Sequence, residues 1–121
     1  MINLDYQSRT PIYEQIILEI ERYVSLGILK PKEQLMSIRE MATTLGINPN
    51  TVKKAYTELE NRGVITTIST KGTYISENIR KVVDKKIENK IKEIKQNILE
   101  LEKLGLTKEE IIKKCPFKDI C

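Results

Sequence analysis

Residues 37–59 read SIREMATTLGINPNTVKKAYTEL. Ser37 and Glu40 stand at capping-box spacing, where each side chain satisfies the other residue's free backbone N–H. Ile38, Met41, Ala42 and Leu45 follow at helical spacing and give a short helix its buried face. Gly46 tolerates the left-handed backbone that a sharp turn needs, and Ile47 is placed to plug that turn. Asn48-Pro49 restarts a helix, a cap residue followed by a ring that presets φ. Val52, Ala55, Tyr56 and Leu59 form its inner face. Two helices this close, with small Ala42 where they must cross, predict a helix-turn-helix.

The flanks extend this reading. Upstream, Thr10 as cap and Pro11 at the first helical position predict a helix in which Ile12, Ile16, Ile20 and Val24 recur every four residues, ended by Gly27. Leu29–Met36 reads as a loop with one short strand, broken at Pro31. Downstream of Gly63 the period becomes extended. Ile65–Ile68 and Thr73–Ile75 flank the polar turn Ser69-Thr70-Lys71-Gly72, which predicts a hairpin. A hairpin directly after a helix-turn-helix is a wing.

The rest is helical. A long helix is expected over 77–104 and a short one over 108–115, the second opened by a Thr107–Glu110 capping box. Ile87, Ile91, Ile94, Ile98 and Leu101 are spaced four, three, four, three, the heptad pattern of a helix-pairing seam. Val83 extends the stripe one turn earlier. The fold class is therefore mainly α with a small β-hairpin: a winged helix-turn-helix over 1–76 and a helical dimerisation tail over 77–121. A stripe facing water is seldom tolerated by monomers. The alternative is that the stripe packs back onto the first helix; both can hold in part, with Val83 and Ile87 against the body and Ile94, Ile98 and Leu101 against a partner copy.

Charge places few constraints. The 121 residues carry a formal net charge of +4, nine basic against eight acidic residues in 1–76 and twelve against nine beyond. There is no apolar run of signal-peptide kind and none near a membrane span, so a soluble, cytoplasmic protein without membrane contact is expected. Cys115 and Cys121 lie at the C-terminal end; with no His in the chain they make no standard zinc site and read as ordinary thiols. No phosphate loop, paired carboxylates or cysteine–base arrangement suggests an enzyme, and no cofactor motif is present.

The outward face of the helix after Asn48 carries Asn50, Thr51, Lys53, Lys54, Thr57 and Glu58. A recognition helix sets its N-terminal residues against base edges in the major groove. Asn50 suits adenine, Lys53 guanine, Thr51 a phosphate or base, and Lys54 the backbone. Free N–H groups at this helix start are expected to add an anion-binding end. Arg39 begins the preceding helix and can reach a phosphate. Ser37 can add a phosphate hydrogen bond if its hydroxyl is not spent on capping. Lys71 and Gly72 sit at the wing tip. Each lysine alone reads as a solvated surface charge; their joint placement at one helix start, the face of the next helix and the wing is what favours nucleic acid.

The runs Gln34–Ala42, Leu45–Val52, Ala55-Tyr56 and Leu59, with Pro11-Ile12-Tyr13 and Lys71–Ile75, resemble the GntR family of bacterial regulators over residues 10–76. The resemblance implies that Arg39 contacts DNA from the second helix. It also implies that Thr51 and Lys53 are contact positions on the recognition helix, and that Gly72 is the glycine entering the minor groove. This chain has Met36 where the family usually has Pro, Lys32 where it usually has Gly, and Thr70-Lys71 where it often has Gly-Arg. Lys53, often arginine in relatives, lacks the planar two-pronged head. The short helical tail resembles the YtrA-type subfamily, which implies dimerisation through that tail and repression of ABC-transporter operons, often including the regulator's own gene.

The expected function is a sequence-specific DNA-binding regulator, a homodimeric repressor acting by promoter occlusion. Its partner would be double-stranded DNA, a two-fold, pseudo-palindromic operator with half-sites roughly 34 Å or a related spacing apart. An unidentified small-molecule effector is expected between wing domain and tail. The alternative is a winged-helix protein-interaction module without sequence-specific DNA binding, for which DNA affinity would be weak and insensitive to salt.

Overall fold

A computed structural model describes residues 2–115. It divides into two units, Met1–Asp84 and Lys85–Cys121. In the first, helix α1 (Ile12–Ser25), strand β1 (Gln34–Leu35), helices α2 (Ile38–Leu45) and α3 (Pro49–Asn61) and strands β2 (Ile65–Ile68) and β3 (Gly72–Ile75) precede the start of helix α4 (Ile79–Lys103). The second holds the rest of α4 and helix α5 (Lys108–Lys114).

The core of the first unit is where the heptads and alternations converge. Ile16, Ile20 and Val24 of α1 meet Val52, Ala55 and Leu59 of α3, each at most 1% exposed. Met41 and Ala42 close it from α2, Ile65 and Ile75 from the strands, and Ile79 and Val83 from the first turns of α4. β3 pairs antiparallel with both β1 and β2, so the sheet order is β1-β3-β2. The expected hairpin is therefore present, widened to three strands by the short strand after Pro31. Inward Thr73 and Ile75 alternate with outward Tyr74 along β3, the period-two pattern of a sheet with one wet face.

One local expectation needs correction. Thr10 is not the cap of α1: Pro11 occupies that position and the helix has no side-chain cap. Instead Gln15 reaches back, its Nε2 donating to the Thr10 carbonyl at 2.9 Å and to the Asp5 carbonyl at 2.8 Å, while Asp5 N–H donates to its Oε1 at 2.8 Å. That amide ties Asp5 and Thr10 to the helix.

In the second unit, Thr107 and Glu110 form the expected capping box at the start of α5. The two helices line a common hollow through Ile98, Leu99, Ile111 and Ile112. Ile111 is buried, Ile98 and Leu101 are half-buried, and Ile91 and Ile94 are exposed. Cys115 is a free, half-buried thiol; the Pro116-Phe117 tail and Cys121 lie outside the described residues.

Candidate nucleic-acid interface

The α2–turn–α3 unit is held by the chemistry its sequence announced. Ser37 Oγ accepts from the Glu40 N–H at 3.1 Å and Glu40 Oε1 accepts from the Ser37 N–H at 3.2 Å. Such a box contributes about 1 kcal/mol. Gly46 takes the left-handed conformation, φ 67°, and the Ile47 N–H closes the turn on the Ala42 carbonyl at 3.0 Å. Tyr56, which looked from the sequence like one more apolar face residue, also donates its hydroxyl to the Met36 carbonyl at 2.7 Å. This bond staples the chain leading into α2 onto α3, and burial pushes the phenol well above its ordinary range.

The anion-binding end expected at α3 is not available in that form. Pro49 has no N–H, the Asn50 N–H is taken by Asn48 Oδ1 at 2.8 Å, and the Thr51 N–H by the Asn48 carbonyl at 3.0 Å. The cap that starts the helix consumes the donors an anion would need. Ser37 is similarly committed as an acceptor, leaving only its hydroxyl proton to donate.

The candidate contact side chains divide by environment. Asn50, Lys53 and Lys54 are exposed and, with Thr57, form one wall of a groove of about 810 Å³ whose other wall includes Tyr13, Glu14 and Leu18 of α1. Thr51 is half-buried. Lys54 leans across the groove, its Nζ 4.0 Å from the centroid of the Tyr13 ring, a cation–π contact that draws it towards α1. Arg39 is exposed on the first turn of α2 and Lys71 at the hairpin tip.

Electrostatics separate these cations from their neighbours. Arg62, at the end of α3, is bound by Glu58 Oε1 at 3.0 Å and Glu21 Oε1 at 3.2 Å, and its guanidinium holds its proton more tightly, chiefly through the Glu58 hydrogen bond. Arg80 donates to the Val24 and Ser25 carbonyls at 3.2 and 3.5 Å, covering the open C-terminus of α1. By contrast the side chains of Arg39, Lys53 and Lys71 have no ion pair or hydrogen bond among the described residues. Unpaired cations at a helix start, a helix face and a wing tip keep their charge for a polyanion. The Arg62–Glu21 pair, Arg80, Gln15 and the Tyr56 hydroxyl escaped the sequence reading because those partners lie on other elements or outside any helical register; the Arg62–Glu58 pair, at i,i+4 spacing, was legible.

At the wing, the Lys71 N–H bonds the Ile68 carbonyl at 3.0 Å and Thr70 takes a positive φ of 69°. Gly72 has φ 119°, and a Cβ there would stand 3.0 Å from Gln34 Nε2. The backbone angle favours glycine at this position, and a Cβ there would push the Gln34 amide aside.

A helix-turn-helix followed by a strand-paired wing, with free cations along that side, defines a winged-helix DNA-binding domain. The profile of bacterial regulatory proteins of the gntR family matches residues 12–75. The HTH-type transcriptional repressor YtrA of Bacillus subtilis (strain 168) is 48% identical over 101 residues, covering 84% of this chain and 75% of its own. A transcriptional regulator from Oenococcus oeni superposes with a TM-score of 0.73 at 38% identity, over 93% of this chain and 94% of that one. YtrA from Sulfolobus acidocaldarius, a GntR-family transcription factor, does so with a TM-score of 0.59 at 33% identity, over 93% and 91%. The chain belongs to the GntR family of bacterial transcriptional regulators.

Proposed function

We propose that the chain is a homodimeric repressor that occupies a two-fold operator and blocks a promoter. The observation that carries this reading is the set of unpaired cations, Arg39, Lys53 and Lys71, beside exposed Asn50 on the recognition helix. Asn50 and Lys53 read base edges; Arg39 and Lys71 bind phosphates, and Gly72 lets the wing tip approach the minor groove. Lys54, drawn towards Tyr13, contributes charge from the groove side. Ser37 adds its one remaining donor, and Thr51 a contact from the first turn of α3.

Pairing through exposed Ile87, Ile91 and Ile94, with Ile98 and Leu101 at the α5 end, supports the dimer. Coupling two recognition helices through one body raises affinity over that of a single domain. Repression, in place of activation, is supported by the name of the Bacillus relative, a transcriptional repressor. The site of action is the cytoplasm, where the DNA lies, and the target suggested by the YtrA-type resemblance is an ABC-transporter operon together with the chain's own gene.

Selection of bound sites from random duplex DNA tests this reading. It should return a two-fold motif, and affinity for that motif should fall steeply with salt as counterions are recovered. Weak binding without sequence preference or salt dependence would instead make the domain a protein-interaction module.

A further inference from the structure

The wing tip is braced from the outer face of the sheet. Tyr74 of β3 and Gln34 of β1 are register partners, and both reach the same acceptor. The Tyr74 hydroxyl donates to the Lys71 carbonyl at 3.0 Å, and Gln34 Nε2 approaches it at 3.5 Å. Gln34 also lies directly over Gly72, where any Cβ would crowd its amide, and the Tyr74 ring is 4.0 Å from that same point. A peptide group is planar, so fixing the Lys71 carbonyl fixes the plane of the Lys71–Gly72 peptide. Together with the Lys71 N–H bond to the Ile68 carbonyl at 3.0 Å, that plane restrains the direction in which the Lys71 side chain leaves the tip. Without such a brace a turn that carries a left-handed threonine and leads into a glycine at the start of β3 would sample several tip orientations.

We propose that Tyr74 and Gln34 are positioning residues for the wing: by gripping the Lys71 carbonyl they orient the Lys71–Gly72 tip against the operator without touching DNA themselves. The proposal rests on the reading that the wing tip contacts DNA. It explains why an exposed glutamine and a half-buried tyrosine converge on a main-chain carbonyl of the solvent face, where hydrogen bonds contribute little to folding. It also assigns work to β1, a strand of two residues whose ladder alone adds little to the sheet.

The test is a double-mutant cycle on the intact protein, with affinity for the selected operator measured across a salt series. Lys71→Ala should lower affinity and reduce the salt slope by about one. Tyr74→Phe, and Gln34→Leu more weakly, should lower affinity several-fold while leaving the thermal midpoint of the free protein nearly unchanged. In the Lys71→Ala background, Tyr74→Phe should cost clearly less than it does in the wild type, because the side chain the brace chiefly aims is gone while only the Gly72 approach remains to be oriented. Hydroxyl-radical protection of the minor groove flanking each half-site should weaken in Tyr74→Phe as it does in Lys71→Ala. Losses that add in the double variant, or a Tyr74→Phe protein with full affinity and full protection, would overturn the brace alone. Full affinity and an unchanged slope in Lys71→Ala would overturn the wing contact, and the brace with it.

Discussion

Replacing Lys32 by glycine should make this protein more stable, although it deletes an ion pair. Lys32 has φ 67°, in the left-handed region, and a side chain there costs about 1–2 kcal/mol. Its N–H donates to the Ile75 carbonyl at 2.9 Å, a bond glycine keeps. The lost contact is Lys32 Nζ–Glu77 Oε2 at 3.7 Å between side chains 75% and 67% exposed; solvent screening leaves it a few tenths of a kcal/mol. Glycine's greater freedom in the unfolded chain returns about 0.5–1 kcal/mol. The balance is a gain of about half a kcal/mol, or about 2–3 °C in Tm. Lys32→Ala loses the same ion pair and keeps the strain, so it should fall below wild type and below Lys32→Gly by about 1 kcal/mol. Differential scanning calorimetry at one fixed protein concentration reads this, because the proposed pairing would make Tm depend on concentration. A Lys32→Gly midpoint at or below that of Lys32→Ala would refute the assignment of strain to this backbone angle.

Arg39→Ala should weaken operator binding by about 1.5–3 kcal/mol and lower the salt slope by about one, with sedimentation still reporting a dimer; unchanged affinity removes Arg39 from the interface. Ile94→Lys should yield a folded monomer, since Ile94 is 54% exposed within the chain; a fully dimeric variant in sedimentation places the pairing surface elsewhere. Tyr56→Phe strands the Met36 carbonyl and should cost about 1–3 kcal/mol in urea unfolding. It should also alter alkaline behaviour. Burial raises the folded phenol above its ordinary 10.0, so this contribution is whole below pH 10 and is lost as the unfolded phenol ionises above it. Wild type should therefore lose stability faster above pH 10 than Tyr56→Phe; parallel curves would count against a buried, neutral phenol.

What the sequence revealed is what is local in the chain. Ser37 and Glu40, Asn48, Gly46 and the Thr107–Glu110 box act within four residues, and their chemistry is complete in the sequence that carries them. Thr10 misled because Thr-Pro fits a cap followed by a first helical residue, whereas Pro11 itself takes the cap position and Gln15 supplies the bonds. The free N–H groups expected at α3 failed for a related reason: the cap was foreseen, its consumption of the donors was not. The bonds from Tyr56 to Met36 and from Arg80 to Val24 span 20 and 56 residues. No periodicity encodes such a pair. The candidate contact residues were legible by type and side of helix, but their isolation from carboxylates was not, since it depends on which glutamates Arg62 and its neighbours take first.

The apolar stripe of α4 is the harder case, because periodicity reports that a face is apolar and not what covers it. One stripe meets three environments here: Val83 is buried in the core of the first unit, Ile98 and Leu101 are half-covered, and Ile87, Ile91 and Ile94 stand 51–59% exposed. From Ile87 to Ile94 the helix rises only about 10 Å. Full burial of an isoleucine contributes about 1.5–3 kcal/mol, and roughly half of that remains to be gained at each of these positions. Two copies would thus draw about 5–9 kcal/mol from the seam, against an association cost of about 4–15 kcal/mol. The seam alone sits near the margin. Leu99, 46% exposed, and Ile112, 67% exposed, border the same hollow in the second unit and would extend the proposed pairing surface. Near such a margin, a charge at Ile94, the middle of the five stripe positions from Ile87 to Leu101, is enough to separate the copies, which is why Ile94→Lys tests the dimer more sharply than any change at Leu101.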